Sequence, residues 1–277
     1  MNLALPEGPV AVDGIRVGIG GWTFAPWRDN FYPKGLVQRR ELEYASRHVS
    51  TIEVNGTWYG AQKPATYAKW RDETPDGFVF SAKAPQRITM SRTLAGTGAQ
   101  VDAFLGDIAT LGAKLGPIVW QFDPGRRLDF DDFAEFVAML PPDIDGTAFR
   151  HVLDVRMRGF VDPRYIALAR QHGMATVFTD SEEHPSFADI TADFVYARLM
   201  RSRSIATGYP DDELQRWAQR ARTWAGGGEP DDLPRITTDA SPGAAQRDVY
   251  IYFISSAKER NPAAAMALLE LLGAIVR

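Results

Sequence analysis

Eight short apolar runs alternate along this chain with segments that carry helix signals, and this alternation restricts the fold more than any other feature. Each run is bounded by Gly, Pro, Asp or Asn, as buried parallel strands usually are. Between the runs, apolar residues recur at helical spacing; Phe133 and Val137, for example, follow Asp129, a residue type that caps helices. The predicted strands are Arg16–Gly20, Thr51–Asn55, Phe78–Lys83, Ile118–Gln121, Val152–Arg156, Thr176–Asp180, Phe194–Met200 and Val249–Ile254.

Strict β/α alternation over eight repeats predicts an α/β fold, namely a single TIM-type (β/α)8 barrel. A doubly wound open sheet is the alternative, and it would be expected to carry a G-x-G-x-x-G nucleotide-binding turn after its first strand. Gly18 and Gly20 fit that turn, but Thr23 stands where the third glycine is needed. The closed barrel is therefore the preferred prediction.

Residues 1–277 are predicted to form one domain, with two parts outside the barrel core. Residues 1–13 are a non-core N-terminal extension. Residues 226–247, rich in Gly, Pro and Asp, precede the last strand and are predicted to be a mobile insertion.

Composition excludes several classes of function. The chain contains no cysteine, which excludes disulfides, thiolate metal sites and a cysteine nucleophile. Its net charge of −4 disfavours a globally basic nucleic-acid binder. No apolar run approaches the roughly 20 residues of a membrane helix, and the N-terminal stretch does not have the pattern of a signal peptide. No membrane partner is expected, and a cytoplasmic location is the default prediction.

Charged and polar side chains collect at the carboxyl ends of several predicted strands. Because side chains alternate along a strand, the parity of each position separates the barrel interior from the helix-facing side. An unpaired buried charge costs several kcal/mol, so these groups must pair or face a wet cavity. They occupy the mouth where barrel enzymes keep their sites, although a charge-balanced plug over the core is the structural alternative. The predicted inward positions are Glu53, Asn55, Lys83, Gln121, Asp154, Arg156 and Arg198.

The first hypothesis of function is an enzyme of hydrolase or lyase type that acts on an anionic small molecule or a nucleic-acid fragment. Glu53 and Asp154 are the catalytic acid/base candidates, and Lys83 would hold or polarise the substrate. Arg156 and Arg198 would bind its phosphate or carboxylate group.

Two other functions compete with this one. A non-catalytic binding or regulatory barrel would keep the anion site without proton-transfer chemistry. Glycoside hydrolysis would require one carboxyl group with a raised pKa, whereas both Glu53 and Asp154 have cationic neighbours that would lower it. None of the four histidines is spaced as a metal-ligand pair, so neither a metal nor another cofactor is predicted. The oligomeric state stays open.

The segments VGIGGWTFAPWRDNFYPKGL, TIEVNGTWYGAQKPATYAKW and DGFVFSAKAPQRITM, at the first three strands, resemble the YecE-like family, also called domain of unknown function 72. The resemblance implies a TIM-type barrel and no established reaction. It also implies that Trp22, Asn55 and Gln121 join the substrate-binding candidates. The positions that match the family pattern are Gly20, Trp22, Glu53, Asn55, Lys83, Gln121, Asp154, Arg156 and Arg198.

The chain departs from that family pattern at three methionines. Met90, Met157 and Met200 stand where the family usually has histidine. A thioether cannot exchange protons near neutral pH as an imidazole does. The resemblance therefore also implies an altered or inactive member, which favours the non-catalytic anion- or nucleic-acid-binding barrel.

Overall fold

The computed structural model describes residues 7–239, 241–243 and 246–274. The first six residues of the predicted extension, and positions 240, 244 and 245 of the predicted insertion, lie outside this range. Eight parallel strands close into a barrel in which strands adjacent in the chain are adjacent in space, as the alternation predicts. The strands are β1 Ile15–Gly20, β2 Thr51–Val54, β3 Val79–Lys83, β4 Leu115–Phe122, β5 His151–Val155, β6 Ala175–Asp180, β7 Phe194–Leu199 and β8 Asp248–Phe253.

Helices of varied length connect the strands. The cap predicted at Asp129 is formed, since its carboxylate accepts from the backbone N–H of Asp131 at 2.9 Å. The Asp162 carboxylate likewise accepts from the backbone N–H of Arg164 at 2.8 Å, at the start of another helix. No helix within the described ranges is long and apolar enough to cross a membrane. The helices are α1 Glu41–Ala45, α2 Gly56–Tyr59, α3 Pro64–Glu73, α4 Gln86–Thr89, α5 Gly98–Ile108, α6 Phe130–Met139, α7 Pro163–Gln171, α8 Asp211–Ala225 and α9 Asn261–Leu272. The 3-10 turns are Ala25–Asp29, Gln38–Arg40, Ala95–Thr97, Ala109–Lys114, Arg158–Phe160 and Lys258–Arg260.

Four predicted strands extend one residue too far at their carboxyl ends. Asn55, Arg156, Met200 and Ile254 each follow the last residue of their strand. Asn55 has already turned to φ −88° and ψ −20°, in the helical region that begins α2. Strand parity therefore does not govern the Asn55 side chain.

A two-stranded hairpin on the connection to β5 was not predicted from the sequence. Asp143–Ile144 pairs antiparallel with Thr147–Ala148. The two turn residues, Asp145 and Gly146, both have positive φ, at 50° and 80°. Asp-Gly is a preferred pair for such a turn, so the sequence did contain a turn signal, but the strands beside it are only two residues long.

The segment 226–247 packs near the amino ends of the barrel strands where the structure describes it. The Asp189 carboxylate accepts from the backbone N–H groups of Ile236 and Thr237 at 2.7 and 3.0 Å. The Arg247 guanidinium donates to the carbonyl oxygens of Gly228 and Pro242. The predicted mobility of this segment stays a prediction.

The barrel interior is filled in layers, with charged groups at both ends. Valine and tyrosine side chains form the middle, and the rings of Tyr196 and Tyr252 pack there in a tilted arrangement with their centres 4.9 Å apart. At the amino ends, Arg150 and Arg16 both pair with Asp248. These lower groups are partly exposed, whereas those at the carboxyl ends are almost completely buried.

Gly18 allows β1 and β2 to approach closely on the interior side. It lies opposite Thr51 in the parallel register. A Cβ atom added at Gly18 would lie 1.9 Å from the carbonyl oxygen of Thr51, a backbone atom that cannot rotate away. The barrel therefore requires glycine at this position.

We predict that Gly18→Ala lowers the free energy of unfolding by more than about 2 kcal/mol, because the strands must separate to admit the methyl group. Urea unfolding followed by circular dichroism would measure this. Gly106→Ala is the control, since Gly106 is exposed within α5 and an added Cβ meets no atom within 4 Å. The free energy of unfolding of Gly106→Ala should rise by up to about 1 kcal/mol, because alanine favours the helix more than glycine does. A similar decrease in both variants would contradict the packing argument.

Candidate functional site

Arg198 on β7 lies at the centre of the charged groups at the barrel mouth. Its side chain is 1% exposed. Its Nε donates to Oε2 of Glu53 at 2.8 Å, and its Nη1 donates to Oδ2 of Asp154. The same Nη1 lies 3.5 Å from Oε1 of Gln121. One guanidinium thus connects side chains from β2, β4 and β5.

The two carboxylates have further partners. The Tyr196 hydroxyl donates to Oε2 of Glu53 at 2.6 Å, and the Arg156 guanidinium lies 3.1 Å from Oδ2 of Asp154. Burial alone would raise the pKa of Asp154, but the guanidinium groups of Arg198 and Arg156 hold it below its ordinary value. Asp154 is therefore a fixed negative charge near neutral pH.

Lys83, the last residue of β3, belongs to the same group but is not tied to it by a hydrogen bond. Burial and the neighbouring Arg198 lower the pKa of Lys83 to about 8, against the opposing effect of Glu53 and Asp154. Its Nζ lies 5.6 Å from the centre of the Trp58 ring. In the part of the chain that the structure describes, this amine has no hydrogen-bond or ion-pair partner.

The five ionisable groups carry an excess of positive charge. Lys83, Arg156 and Arg198 supply three cations against the two carboxylates, which leaves +1 when the lysine is protonated. Nη2 of Arg198 and Oε1 of Glu53 are buried and have no hydrogen-bond partner among the described residues. We refer to Glu53, Lys83, Asp154, Arg156 and Arg198 as the mouth cluster.

His184, in the loop after β6, reaches the edge of the mouth cluster. Its Nε2 lies 3.3 Å from Nη1 of Arg156. A guanidinium can only donate, so Nε2 must accept and the imidazole is neutral, with its proton on Nδ1. Burial and the Arg156 charge both lower the pKa of His184, in agreement with that tautomer. From the sequence, the four histidines were considered only as metal ligands, and no role was predicted for His184.

Two of the predicted substrate-binding residues line a cavity whose lining includes no member of the mouth cluster, although Nδ2 of Asn55 donates to the Glu53 carbonyl oxygen at 3.4 Å. Trp22 and Asn55 line a cavity of about 340 Å³ above the ends of β1 and β2. Trp22 packs edge-on against Trp70, with ring centres 5.1 Å apart. Asn55 lies beside the cluster in sequence, but its helical backbone angles direct it into this cavity. Gln121, by contrast, stays with Arg198.

The cavity beside the cluster is lined partly by glycine residues, and its lining includes one lysine. Gly20 and Gly21 form part of the lining, and Gly21 has φ +76°. Lys258 also lines the cavity; its Nζ lies 4.6 Å from the centre of the Phe24 ring, and burial lowers its pKa. We call this space the glycine cleft.

Tyr196 and Trp58 contact the mouth cluster but were not among the predicted site residues. Tyr196 has the same strand parity as Arg198, but it lies 143 positions from Glu53 in the chain, so no local pattern connected the two residues. Of the three methionines, Met157 is buried, Met200 is partly buried and Met90 is exposed. Within the described ranges, no group of three or more His, Cys, Asp or Glu side chains could hold a metal ion.

Comparison with known proteins identifies relatives of the chain. The sequence profile described as "Protein of unknown function DUF72" matches residues 16–276. The chain is 29% identical over 102 residues to the UPF0759 protein YecE of Escherichia coli, which covers 37% of this chain and 35% of YecE. It is 32% identical over 132 residues to the UPF0759 protein YunF of Bacillus subtilis, covering 46% and 44%. These matches span less than half the length of either relative.

Two crystal structures share the fold. A DUF72 family protein from Thermotoga maritima aligns with a TM-score of 0.69 at 16% identity, covering 94% of this chain and 99% of the other. A DUF72 family protein from Enterococcus faecalis aligns with a TM-score of 0.67 at 13% identity, covering 94% and 95%. At this level of identity, the likeness concerns the fold alone.

We predict that Arg198→Met lowers the free energy of unfolding by about 3–5 kcal/mol at pH 7, because it leaves two buried carboxylates without their shared cation. This loss of unfolding free energy should shrink as the pH falls, because Arg198 no longer lowers the pKa of Asp154 in the variant and the buried carboxyl group takes up a proton more readily. Urea unfolding at several pH values would measure both effects.

Arg201→Met is the matched control. Arg201 follows the same strand, is 45% exposed and pairs with Asp180 at 3.0 Å. A surface pair of this kind is worth at most about 1 kcal/mol. Equal losses in the two variants would contradict the central position given to Arg198.

Proposed function

The chain belongs to the DUF72 family, and within that family of unknown function we propose that its mouth cluster binds and transforms a small molecule bearing a phosphate or carboxylate. The reaction class is that of a hydrolase or lyase. The observation that carries the proposal is the Lys83 amine, which has no hydrogen-bond or ion-pair partner in the described chain and belongs to a cluster with excess positive charge. A bound anion would neutralise that excess.

The binding role follows from the distribution of hydrogen-bond donors. Arg156 is only partly buried and holds Asp154 with its Nε and Nη2, so it lies where an incoming anion could reach its remaining N–H groups. Guanidinium groups suit planar carboxylate and tetrahedral phosphate alike. Arg198 is too deeply buried for first contact, and it instead fixes the carboxylates around which Lys83 and Arg156 are arranged.

In this proposal, Lys83 is the acid/base residue, and the two carboxylates are not. A carboxylic acid that donates a proton near neutral pH needs a raised pKa, whereas the pKa of Asp154 is lowered, and Glu53 accepts bonds from both Arg198 and Tyr196. The pKa of Lys83, at about 8, lies close to the pH at which acid/base catalysis is most effective. In this proposal, Glu53 and Asp154 are positioning residues for the cations.

A non-catalytic anion-binding barrel is the second candidate. It is favoured by the commitment of both carboxylates to guanidinium groups, together with methionine at positions 90, 157 and 200. Binding to a nucleic-acid fragment would differ from small-anion binding in its steep dependence on salt. This candidate would be favoured if the protein bound anions but formed no product from phosphate esters, hydroxy acids or keto acids.

We predict that sulfate binds at the mouth and that Lys83→Met weakens this binding roughly tenfold or more, because one charge-assisted contact is lost. Calorimetric titration with sodium sulfate would measure the affinity. Sulfate keeps its charge between pH 6 and 10, so any pH dependence belongs to the protein. Affinity for the native protein should fall as the pH rises through about 8, where Lys83 loses its proton.

Lys258→Met is the matched control. Lys258 is also a partly buried lysine beside aromatic rings, but it lines the glycine cleft. Its substitution should leave sulfate binding unchanged. The proposed site would be wrong if Lys258→Met weakened binding as much as Lys83→Met, or if neither variant changed it.

A further inference from the structure

Lys83, Lys114 and Lys258 are partly buried lysines, and only Lys114 has a hydrogen-bond acceptor for its amine among the described residues. Lys83 differs from Lys258 in its position, because it lies among the charged groups of the mouth cluster. Nζ of Lys114 donates to the carbonyl oxygens of Arg71 and Thr74, both at 2.6 Å. Nζ of Lys258 lies over the Phe24 ring at 4.6 Å from its centre. Nζ of Lys83 has no acceptor among the described residues, and the Trp58 ring centre is 5.6 Å away. The Lys83 amine at the barrel mouth is thus free to donate a hydrogen bond when protonated, or to use its lone pair when neutral.

From this placement we infer that Lys83 is a nucleophile that forms a Schiff base with the carbonyl carbon of a 2-oxo acid. The inference rests on the proposed function, because the carboxylate of the 2-oxo acid would occupy the anion site. That carboxylate is bonded directly to the carbonyl carbon. Arg156, in the same cluster, could bind it while the neighbouring carbon meets Nζ.

The surroundings of Lys83 favour the neutral amine that such an attack requires. Guanidinium groups approach from two sides, Arg198 on β7 and Arg156 after β5, and both oppose protonation of the amine. Glu53 on β2 and Asp154 on β5 favour protonation, but both already pair with Arg198. A lysine desolvated beside other cations is a known way to activate this nucleophile.

The covalent step balances without any oxidant or reductant. The Nζ lone pair forms a bond to the carbonyl carbon, and the electron pair of the C=O bond moves to oxygen. That oxygen leaves as water with the two amine hydrogens, and a C=N bond remains. Protonation of its nitrogen from solvent gives an iminium ion, which can accept the electron pair of a bond broken at the adjacent carbon. This is lyase chemistry.

Reductive trapping with pyruvate tests the inference. Sodium borohydride would deliver hydride to the iminium carbon and leave a stable secondary amine on the full-length protein. The mass of the protein should increase by that of pyruvic acid less one oxygen atom. Peptide mapping should place the adduct on Lys83, while Lys114 and Lys258 in the same sample serve as internal controls. Equal labelling of the three lysines, or no labelling, would overturn the inference.

Two variants separate nucleophilic from electrostatic action. Lys83→Arg keeps the positive charge but cannot form the Schiff base, so it should give no adduct while retaining more sulfate affinity than Lys83→Met. Lys83→Met should lose both. An adduct of undiminished yield in either variant would place the reactive amine elsewhere and overturn the assignment.

The combination of the two assays shows which statement fails. Sulfate binding that depends on Lys83, without a trapped adduct, would overturn the Schiff base and leave the anion site standing. Absence of both sulfate binding and adduct would overturn the proposed function together with this inference. A trapped adduct on Lys83 that sulfate competes away would support both.

Discussion

The carboxyl end of this barrel depends on the position of one guanidinium between two buried carboxylates. Glu53 and Asp154 come from β2 and β5, which are separated in the barrel by β3 and β4, and neither carboxylate could be taken out of water without a cation in reach. Arg198 forms an ion pair with both carboxylates, and its own side chain is 1% exposed. The ion pair of Arg198 with Glu53 joins residues 145 positions apart and that with Asp154 residues 44 positions apart, so that the charges at the mouth hold a defined geometry.

This arrangement changes which groups are available for chemistry. Carboxylates in a barrel mouth are ordinarily the first candidates for acid/base roles, but here they are committed to holding cations. What they leave accessible is the lysine amine and part of the Arg156 guanidinium. The neutral imidazole of His184, which accepts from Arg156, completes the edge of the cluster. The charged groups therefore form a hierarchy, in which the most deeply buried ones orient those that a small molecule can meet.

Much of this could be predicted from the sequence, because strand alternation is a matter of backbone geometry. Parity alone indicated that Glu53, Asp154 and Arg198 share the interior. It failed one residue further on: Asn55 has entered the helical region and lines the glycine cleft, a separation that depends on the turn rather than the strand. The missing acceptor at Lys83 could not be predicted either, since it reflects the spacing of side chains from four strands.

The glycine cleft is lined partly by backbone, whereas the mouth cluster consists of ionisable side chains. This difference affects how the sequences of related barrels can diverge. Gly20 and Gly21 present peptide groups, and a Cβ at Gly20 would come within 3.1 Å of the Asn55 amide. Peptide groups survive most mutations nearby, whereas a single codon change can delete an ionisable side chain. Descendants of one ancestral barrel could thus retain the contour of the cleft while exchanging the reactive groups next to it, so that shape would be inherited more faithfully than reactivity.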